Sequence, residues 1–254
     1  MSLADARDLP PPLIQDLRGA GRVVALTGSG ISAESGVPTF REAQTGLWER
    51  YGPQELATPE VFARDPRLVW EWYGWRRDLV MRAEPNEGHE ALATLERRIP
   101  DFTLLTQNVD GLHERAGSRN LVELHGNILR SRCSLEDEVA EPDEQDDSVP
   151  PRCPRCGSYL RPDVVWFGEM LPTGTLEAAS ESARGCDLFF SIGTSTLVYP
   201  AAGLPYEAVQ AGAVVVEINP HETPLSPYAD YALRGPAVEV LPKLLREAFE
   251  PMTG

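Results

Sequence analysis

Residues 27–41, Thr-Gly-Ser-Gly-Ile-Ser-Ala-Glu-Ser-Gly-Val-Pro-Thr-Phe-Arg, hold the densest chemistry in this chain of 254 residues. They follow an apolar run, Val23-Val24-Ala25-Leu26, that reads as a buried strand. Gly28, Gly30 and Ala33 take the G-x-G-x-x-A spacing of a dinucleotide-binding turn. On that reading Gly28 permits a tight turn and Gly30 lets the backbone approach a pyrophosphate. Ala33 then lets a helix pack close to the strand, its N-terminal amides toward the phosphates. Gly-rich turns also serve as plain loop punctuation, so the preceding strand is what adds weight. An ordinary dinucleotide fold continues through a helix to a second strand that ends in an acid about 20 residues on. Here Gly36-Val37-Pro38-Thr39-Phe40-Arg41 breaks the helix early and brings an arginine toward the phosphates.

Three other clusters carry reactive groups. Gln107-Asn108-Val109-Asp110 closes an apolar run, and its amides and carboxylate suit a ribose or a carboxamide. The plainer reading is a turn whose Asn and Asp bond their own backbone. Glu123-Leu124-His125-Gly126 sets one histidine beside a glycine that leaves room for substrate, suited to proton transfer near neutral pH. A lone histidine there is more often structural. His89, in a helical pattern, His113, in a polar turn, and His221, in a late loop, look less central. Cys153-Pro154-Arg155-Cys156-Gly157 is a metal knuckle, and Cys133 lies upstream. A four-cysteine site would place a cysteine where this chain has Glu136, so the fourth ligand is either missing or that carboxylate. The alternative is a relic knuckle with buried free thiols. Cys186, ahead of a core strand, reads as simply buried.

The elements that would position these groups alternate as in an α/β fold. Val23–Thr27, Phe102–Thr106, Leu188–Ile192 and Ala213–Ile218 read as buried parallel strands. Polar turns at their carboxyl ends suggest one shared site at one sheet edge. Ala91, Leu92, Leu95 and Ile99 recur at helical spacing, as do Ala201, Leu204, Ala208 and Val209, and Leu241, Leu244, Leu245, Ala248 and Phe249. Pro10-Pro11-Pro12 suggests an extended lead-in to the first helix. The expected fold is a Rossmann-like parallel sheet with helices on both faces. It is formed by residues 13–41, 85–127 and 161–250, and carries a smaller module. A helical insertion at 42–84, rich in aromatics and arginine, and a zinc-knuckle insertion at 128–160 would make up that module. The acidic run Glu136 to Asp147 reads as a solvated loop, or less readily as a lure for basic protein substrates. A formal net charge of -16 argues against general nucleic-acid binding. No apolar run reaches the roughly 18–20 residues of a membrane span. The start lacks the pattern of a secretory signal, so the expected compartment is the cytoplasm. Four cysteines in such a chain suggest metal or burial before disulfides.

In this order the motifs resemble the sirtuin family of NAD-dependent protein lysine deacylases over about residues 20–245. The strings are Gly28 to Arg41, Thr106-Gln107-Asn108-Val109-Asp110, Leu124-His125-Gly126, Val164-Val165-Trp166-Phe167-Gly168-Glu169, Gly193-Thr194-Ser195 and Ile218-Asn219. Two departures are Ser29, where the family usually has alanine, and Glu136 at a zinc-cysteine position. The resemblance implies that Gly28, Ser29, Gly30, Ala33 and Arg41 hold the pyrophosphate and nearby ribose, with Ile31 and Phe40 also in the cofactor site. It gives Gln107, Asn108 and Asp110 to the ribose and nicotinamide pocket, and Gly193, Thr194, Ser195, Asn219 and Ala237 to the adenosine half. His125 would be the general base, with Asn108 beside it in the catalytic set. Val165, Trp166 and Phe167 would clamp the acyl-lysine stem and pair with its peptide as a strand. Cys133, Cys153, Cys156 and Glu136 would be the zinc set. The implied reaction starts with attack of the acyl-lysine amide oxygen on C1′ of the nicotinamide ribose, and nicotinamide leaves. His125 then deprotonates a ribose hydroxyl. The products are nicotinamide, free lysine and an O-acyl-ADP-ribose.

Trp72-Tyr73-Gly74-Trp75-Arg76-Arg77 bears on which acyl group is removed. Tyr73 and Arg76 share a helical face, and an arginine fork with a tyrosine hydroxyl suits a carboxylate. The desuccinylase and demalonylase subgroup of the family has the same Y-x-x-R pattern, with deacetylation expected alongside. The plain alternative is a surface helix with an ordinary arginine and a half-buried aromatic. Two other functions stay open at this point. One is an NAD glycohydrolase or mono-ADP-ribosyltransferase using the same pocket. The other is a non-catalytic NAD sensor.

Overall fold

The computed structural model describes residues 2–5, 9–38 and 52–250. Phe40 and Arg41 lie outside the described residues. Seven strands form one parallel sheet: β1 (Ser2–Asp5), β2 (Arg22–Thr27), β3 (Asp101–Thr106), β4 (Leu121–Glu123), β7 (Leu188–Ile192), β8 (Val214–Ile218) and β9 (Tyr231–Arg234). Their order is β1-β9-β8-β7-β2-β3-β4. The sheet is buried on both faces, and its strand residues alternate between them. Val23 and Ala25 pack with α1 (Pro11–Gly19), α5 (Glu87–Arg98) and α9 (Ala237–Phe249). Val24 and Leu26 pack on the opposite side with α7 (Thr173–Gly185) and α8 (Leu204–Ala211). The expected Rossmann-like layering is therefore present.

Three short strands of this sheet escape the sequence reading: β1, β4 and β9. The triple proline also differs from expectation. Pro11 and Pro12 are the first two residues of α1 rather than an extended lead-in. The first helical turn needs no backbone N–H from them, and their fixed φ already suits a helix.

A second, antiparallel pair consists of β5 (Gly126–Cys133) and β6 (Leu160–Val164). Helices α2 (Pro53–Leu56), α3 (Pro59–Arg64) and α4 (Pro66–Arg82) lie before it in sequence. Trp72, Tyr73, Phe62, Ile128 and Trp166 share one apolar cluster, so α3 and α4 pack on this pair. Arg77 fastens the contact. Its Nε donates to the Ile128 carbonyl at 2.6 Å, and its Nη2 reaches the Arg130 carbonyl at 3.1 Å.

Gly126 opens β5 with φ +80, and a Cβ there would lie 2.1 Å from the Asp163 carbonyl oxygen on β6. The glycine therefore makes room for the partner strand, a need the sequence did not show. Gly126→Ala is expected to lower the thermal midpoint by roughly 5–10 °C, as overpacking and a left-handed backbone combine. An unchanged midpoint on calorimetry would contradict that close approach.

Candidate functional site

The chain runs outward from β2 to β3 and β4, then returns to place β7 on the other side of β2. That reversal opens a crevice at the carboxyl ends of β2 and β7, where ligands of such sheets bind. The turn after β2 does not continue as an α-helix. It forms two short 3-10 turns, Ser29–Ile31 and Ala33–Ser35, and Ala33 is exposed rather than packed beneath a helix. The glycines also serve another purpose than spacing alone suggests. A Cβ on Gly30 would lie 2.7 Å from the Gly193 carbonyl oxygen, and one on Gly28 would lie 2.9 Å from it. Gly30 N–H donates to that carbonyl at 2.8 Å. Gly193 itself has φ +58 and would clash with Ile31 N at 2.6 Å. The two loops thus meet backbone to backbone, and side chains would force the crevice apart. Gly193→Ala is expected to raise KM for NAD at least tenfold, because loop separation of even an ångström undoes ligand placement. Unchanged KM in a folded variant would sink this account of the turn.

Neutral polar groups link the ends of β3, β7 and β8 into one rim. Gln107 Nε2 donates to Thr194 Oγ1 at 2.9 Å, and Asn219 Nδ2 donates to the Thr194 carbonyl at 2.9 Å. Ser195 is half-buried beside them. Ala237 is buried where α9 begins, its carbonyl carbon 3.4 Å from where a Cβ on Gly88 of α5 would stand. Arg234 and the buried Glu217 brace the segment after β8. Arg234 Nη1 reaches Glu217 at 2.6 Å and also contacts the Asn219 carbonyl at 3.4 Å.

Below the rim, one hydroxyl that sequence reasoning passed over organises the floor. Ser32 is fully buried, and its Oγ donates to Asp110 Oδ2 at 2.8 Å. It accepts from Asn108 Nδ2 at 3.0 Å, and His89 Nε2 lies at 3.3 Å. His89 Nδ1 accepts from the Asn86 N–H at 3.2 Å, so Nε2 carries the ring proton and also donates to Ser32. Every site on the Ser32 hydroxyl is then filled. Burial holds His89 down at about 4, so it stays neutral in this role. Asp110 Oδ1 accepts from Leu112 N at 2.9 Å, and burial raises the Asp110 carboxyl above its usual range. His113 lies below His89, ring centroids 4.8 Å apart, with Nε2 2.9 Å from Thr27 Oγ1. Neither histidine is peripheral, contrary to the sequence reading. Their partners in the floor, Ser32 and Thr27, lie tens of residues away, so no local pattern could show it.

His125 stands at the end of β4, half-buried. Its Nδ1 is 3.0 Å from the Gln107 carbonyl, which can only accept. Nδ1 therefore carries the proton, and Nε2 is the basic nitrogen. Burial lowers its pKa below 6.5, partly opposed by that carbonyl, so the ring is a neutral base at pH 7. The His125 carbonyl accepts from Val165 N at 2.9 Å, which ties the base to the Val165-Trp166-Phe167 segment. Trp166 is buried, Val165 half-buried and Phe167 exposed. Tyr73 is buried, and its hydroxyl oxygen accepts from Trp166 Nε1 at 3.0 Å. Arg76 lies one turn along α4, with its guanidinium carbon 5.1 Å from the Trp72 ring centroid. Burial pulls Arg76 below its ordinary value, opposed by Tyr73. Of the two adjacent arginines, Arg77 is the structural one and Arg76 sits with the aromatic cluster.

The model of the Sir2 family matches residues 28–200. The chain belongs to the Sir2 family. It is 52% identical over 231 residues to the NAD-dependent protein deacylase of Aquifex aeolicus (strain VF5), covering 89% of this chain and 96% of the relative. Among solved structures, a Sir2 homologue in complex with NAD shares 48% identity at TM-score 0.89 over 98% of this chain and 96% of its own. A Sir2 complex with a p53 peptide and NAD+ shares 32% identity at TM-score 0.83, covering 93% of this chain and 97% of that one.

This Sir2-family chain also brings together a candidate metal site. The ligand atoms of Cys133, Glu136, Cys153 and Cys156 all lie within 4.8 Å of one another. Cys133 Sγ and Cys156 Sγ are 3.4 Å apart, near the separation of two thiolates on one tetrahedral zinc. Burial opposes ionisation of Cys153, but the Arg155 and Cys156 N–H groups and the neighbouring thiols bring it down to about 7. Arg155 Nε holds Glu136 Oε2 at 2.9 Å and so orients that carboxylate. Three thiols and one carboxylate fit one structural zinc. Cys186 is buried as expected, and burial pushes its thiol up to about 11. Chelation is expected to lower the thermal midpoint and expose the three cluster thiols to a thiol reagent. Equal thiol reactivity before and after chelation would contradict a bound zinc. No helix among the described residues is long and apolar enough to cross a membrane.

Proposed function

We propose that this protein removes succinyl, malonyl and acetyl groups from protein lysine side chains and uses NAD as co-substrate. That it is an NAD-dependent protein deacylase follows from its Sir2-family membership and its 52% identity to a relative so named. The acidic-acyl preference rests on one observation above all. Tyr73 is buried in one apolar cluster with Trp166, whose segment is tied to His125, and Arg76 stands half-buried one turn along α4 beside Trp72. A half-buried guanidinium beside aromatic rings attracts a ligand carboxylate more strongly than one in open water, and the phenol adds a neutral contact.

NAD, when bound, supplies an electrophilic C1′, a nicotinamide leaving group and ribose hydroxyls. The chain's own groups do the rest in this reading. The loops at Gly28–Ile31 and Gly193–Ser195 receive the pyrophosphate and adenosine half, with Asn219 and Ala237 alongside. Gln107, Asn108 and Asp110 line the ribose and nicotinamide end, where the Ser32 network fixes the orientation of Asn108 and Asp110. His125 Nε2 takes a proton from a ribose hydroxyl. Val165, Trp166 and Phe167 hold the acyl-lysine stem, and the substrate peptide extends as a strand beside them. Helices α3 and α4 and the knuckle segment 128–160 act together as the small module beside this site. Zinc would sit on Cys133, Cys153, Cys156 and Glu136 and pin the knuckle. The partners are therefore acylated-lysine proteins.

The glycohydrolase, ADP-ribosyltransferase and NAD-sensor readings are less well supported, because Tyr73, Arg76 and Trp166 would then have no acyl group to receive. Measuring nicotinamide release with and without an acyl-lysine peptide tests this. The deacylase reading expects release to depend on the peptide, and release that ignores it would overturn the reading.

A further inference from the structure

We infer that Trp166 is a positioning residue for acidic acyl chains, acting through the Tyr73 hydroxyl and held in place by Arg161 and Glu169. The inference rests on the reading that Tyr73 and Arg76 receive an acyl carboxylate. A phenol hydroxyl has one proton to give and an oxygen that accepts. Here the oxygen already accepts the Trp166 indole N–H at 3.0 Å, its one hydrogen-bond partner among the described residues. What the hydroxyl has left to offer is its proton. Burial, partly offset by Arg76, pushes the phenol up to about 12, so that proton stays on. A hydroxyl turned toward donation favours a chain end that accepts, above all a charged carboxylate, over a methyl or an ammonium end.

The indole is held from several sides. The Arg161 guanidinium lies 3.5 Å from the Trp166 ring centroid. Arg161 forms a fork on Glu169, with Nη1 to Oε1 at 2.5 Å and Nη2 to Oε2 at 2.8 Å, and Nη2 also donates to the Val164 carbonyl at 2.8 Å. Glu169 Oε2 accepts the Trp166 N–H at 2.8 Å, and Glu169 N–H donates back to the Trp166 carbonyl at 3.0 Å. The intervening Gly168 takes φ +88, which permits that tight turn. On the other side Trp72 packs edge-on to Tyr73 at 4.6 Å. Both ends of the indole–phenol bond are therefore fixed, and a fixed bond fixes the direction of the remaining proton.

The test is a double-mutant cycle read as the ratio of kcat/KM for succinyl-peptide to kcat/KM for acetyl-peptide. Trp166→Phe removes the N–H and is expected to lower that ratio roughly two- to tenfold, the worth of one neutral hydrogen bond. Tyr73→Phe is expected to lower it as well. In the Tyr73→Phe background, Trp166→Phe should leave the ratio where it is, because the two residues act as one unit. Arg161→Lys, which keeps both aromatic rings, should lower the ratio in the same direction and serves if Trp166→Phe does not fold. An unchanged ratio in Trp166→Phe and Arg161→Lys, or an equal fall in both backgrounds, would overturn the inference. If Tyr73→Phe and Arg76→Met also leave the ratio unchanged, it is the carboxylate reading itself that fails.

Discussion

Arg76→Met is expected to lower kcat/KM for a succinyl-lysine peptide roughly 10- to 100-fold, the range of a lost charge-assisted hydrogen bond. Loss for the matched acetyl peptide should stay within a fewfold. Methionine keeps most of the apolar stem that packs near Trp72, so the substitution removes the charge more than the shape. The difference matters because Arg76 is a charge held half-buried against the ring of Trp72, at the border of the aromatic cluster. A carboxylate entering that cluster gains an interaction that an acetyl methyl does not. Removing the guanidinium then erases the advantage of the acidic chain alone. Equal loss of both activities would return Arg76 to a purely structural part.

The second large effect belongs to His125. His125→Ala is expected to reduce deacylation about 10²- to 10⁴-fold, the usual worth of a general base. Exchange of labelled nicotinamide into NAD should fall far less, since the proposed proton transfer follows nicotinamide departure. The pH dependence follows from the same geometry. The active form is the neutral ring. Burial lowers the His125 pKa below 6.5, so the base form persists as pH falls through that value. Activity should therefore decline only below pH 6.5 on the acid side. An acid limb centred above 6.5, or equal loss of exchange and deacylation in the alanine variant, would contradict this role.

Much of the sheet was legible in the chain. The runs at Val23, Phe102, Leu188 and Ala213 are continuous because those strands are covered on both faces, and that leaves a mark no turn imitates. β4 and β9 are short and half-buried at several positions, so they carry no comparable mark. The β5–β6 pair was missed for another reason. Arg130 and Arg132 on β5 pair with Asp163 on β6, so ion pairs crossing the two strands stand where an apolar pattern would otherwise show. The knuckle cysteines were readable from their spacing, and of the two readings of the fourth position the structure places the Glu136 carboxylate within the cluster.

The candidate site was legible in its parts and less so in its reasons. Gly28 and Gly30 have the spacing of a dinucleotide turn, but what requires them here is the backbone of Gly193, far along the chain. A local motif cannot reveal a contact made by folding. The same holds for Ser32, His89 and His113, whose interest lies in hydrogen bonds to groups on other elements. Asn108 and Asp110 drew attention as ligand-binding groups, and the structure shows them bonded to Ser32 as well. Tyr73 was expected to share a face with Arg76. Its bond to Trp166 joins α4 to the segment after β6, and no spacing in α4 foretells it.

The most direct test is a mass-spectrometric assay of the purified protein with NAD and matched acetyl-, succinyl- and malonyl-lysine peptides. The account predicts NAD-dependent loss of succinyl and malonyl, with acetyl loss alongside, each matched by nicotinamide and the corresponding O-acyl-ADP-ribose. Acetyl loss alone would contradict the acidic-acyl reading, and nicotinamide release with every peptide unchanged would contradict the proposed acyl transfer.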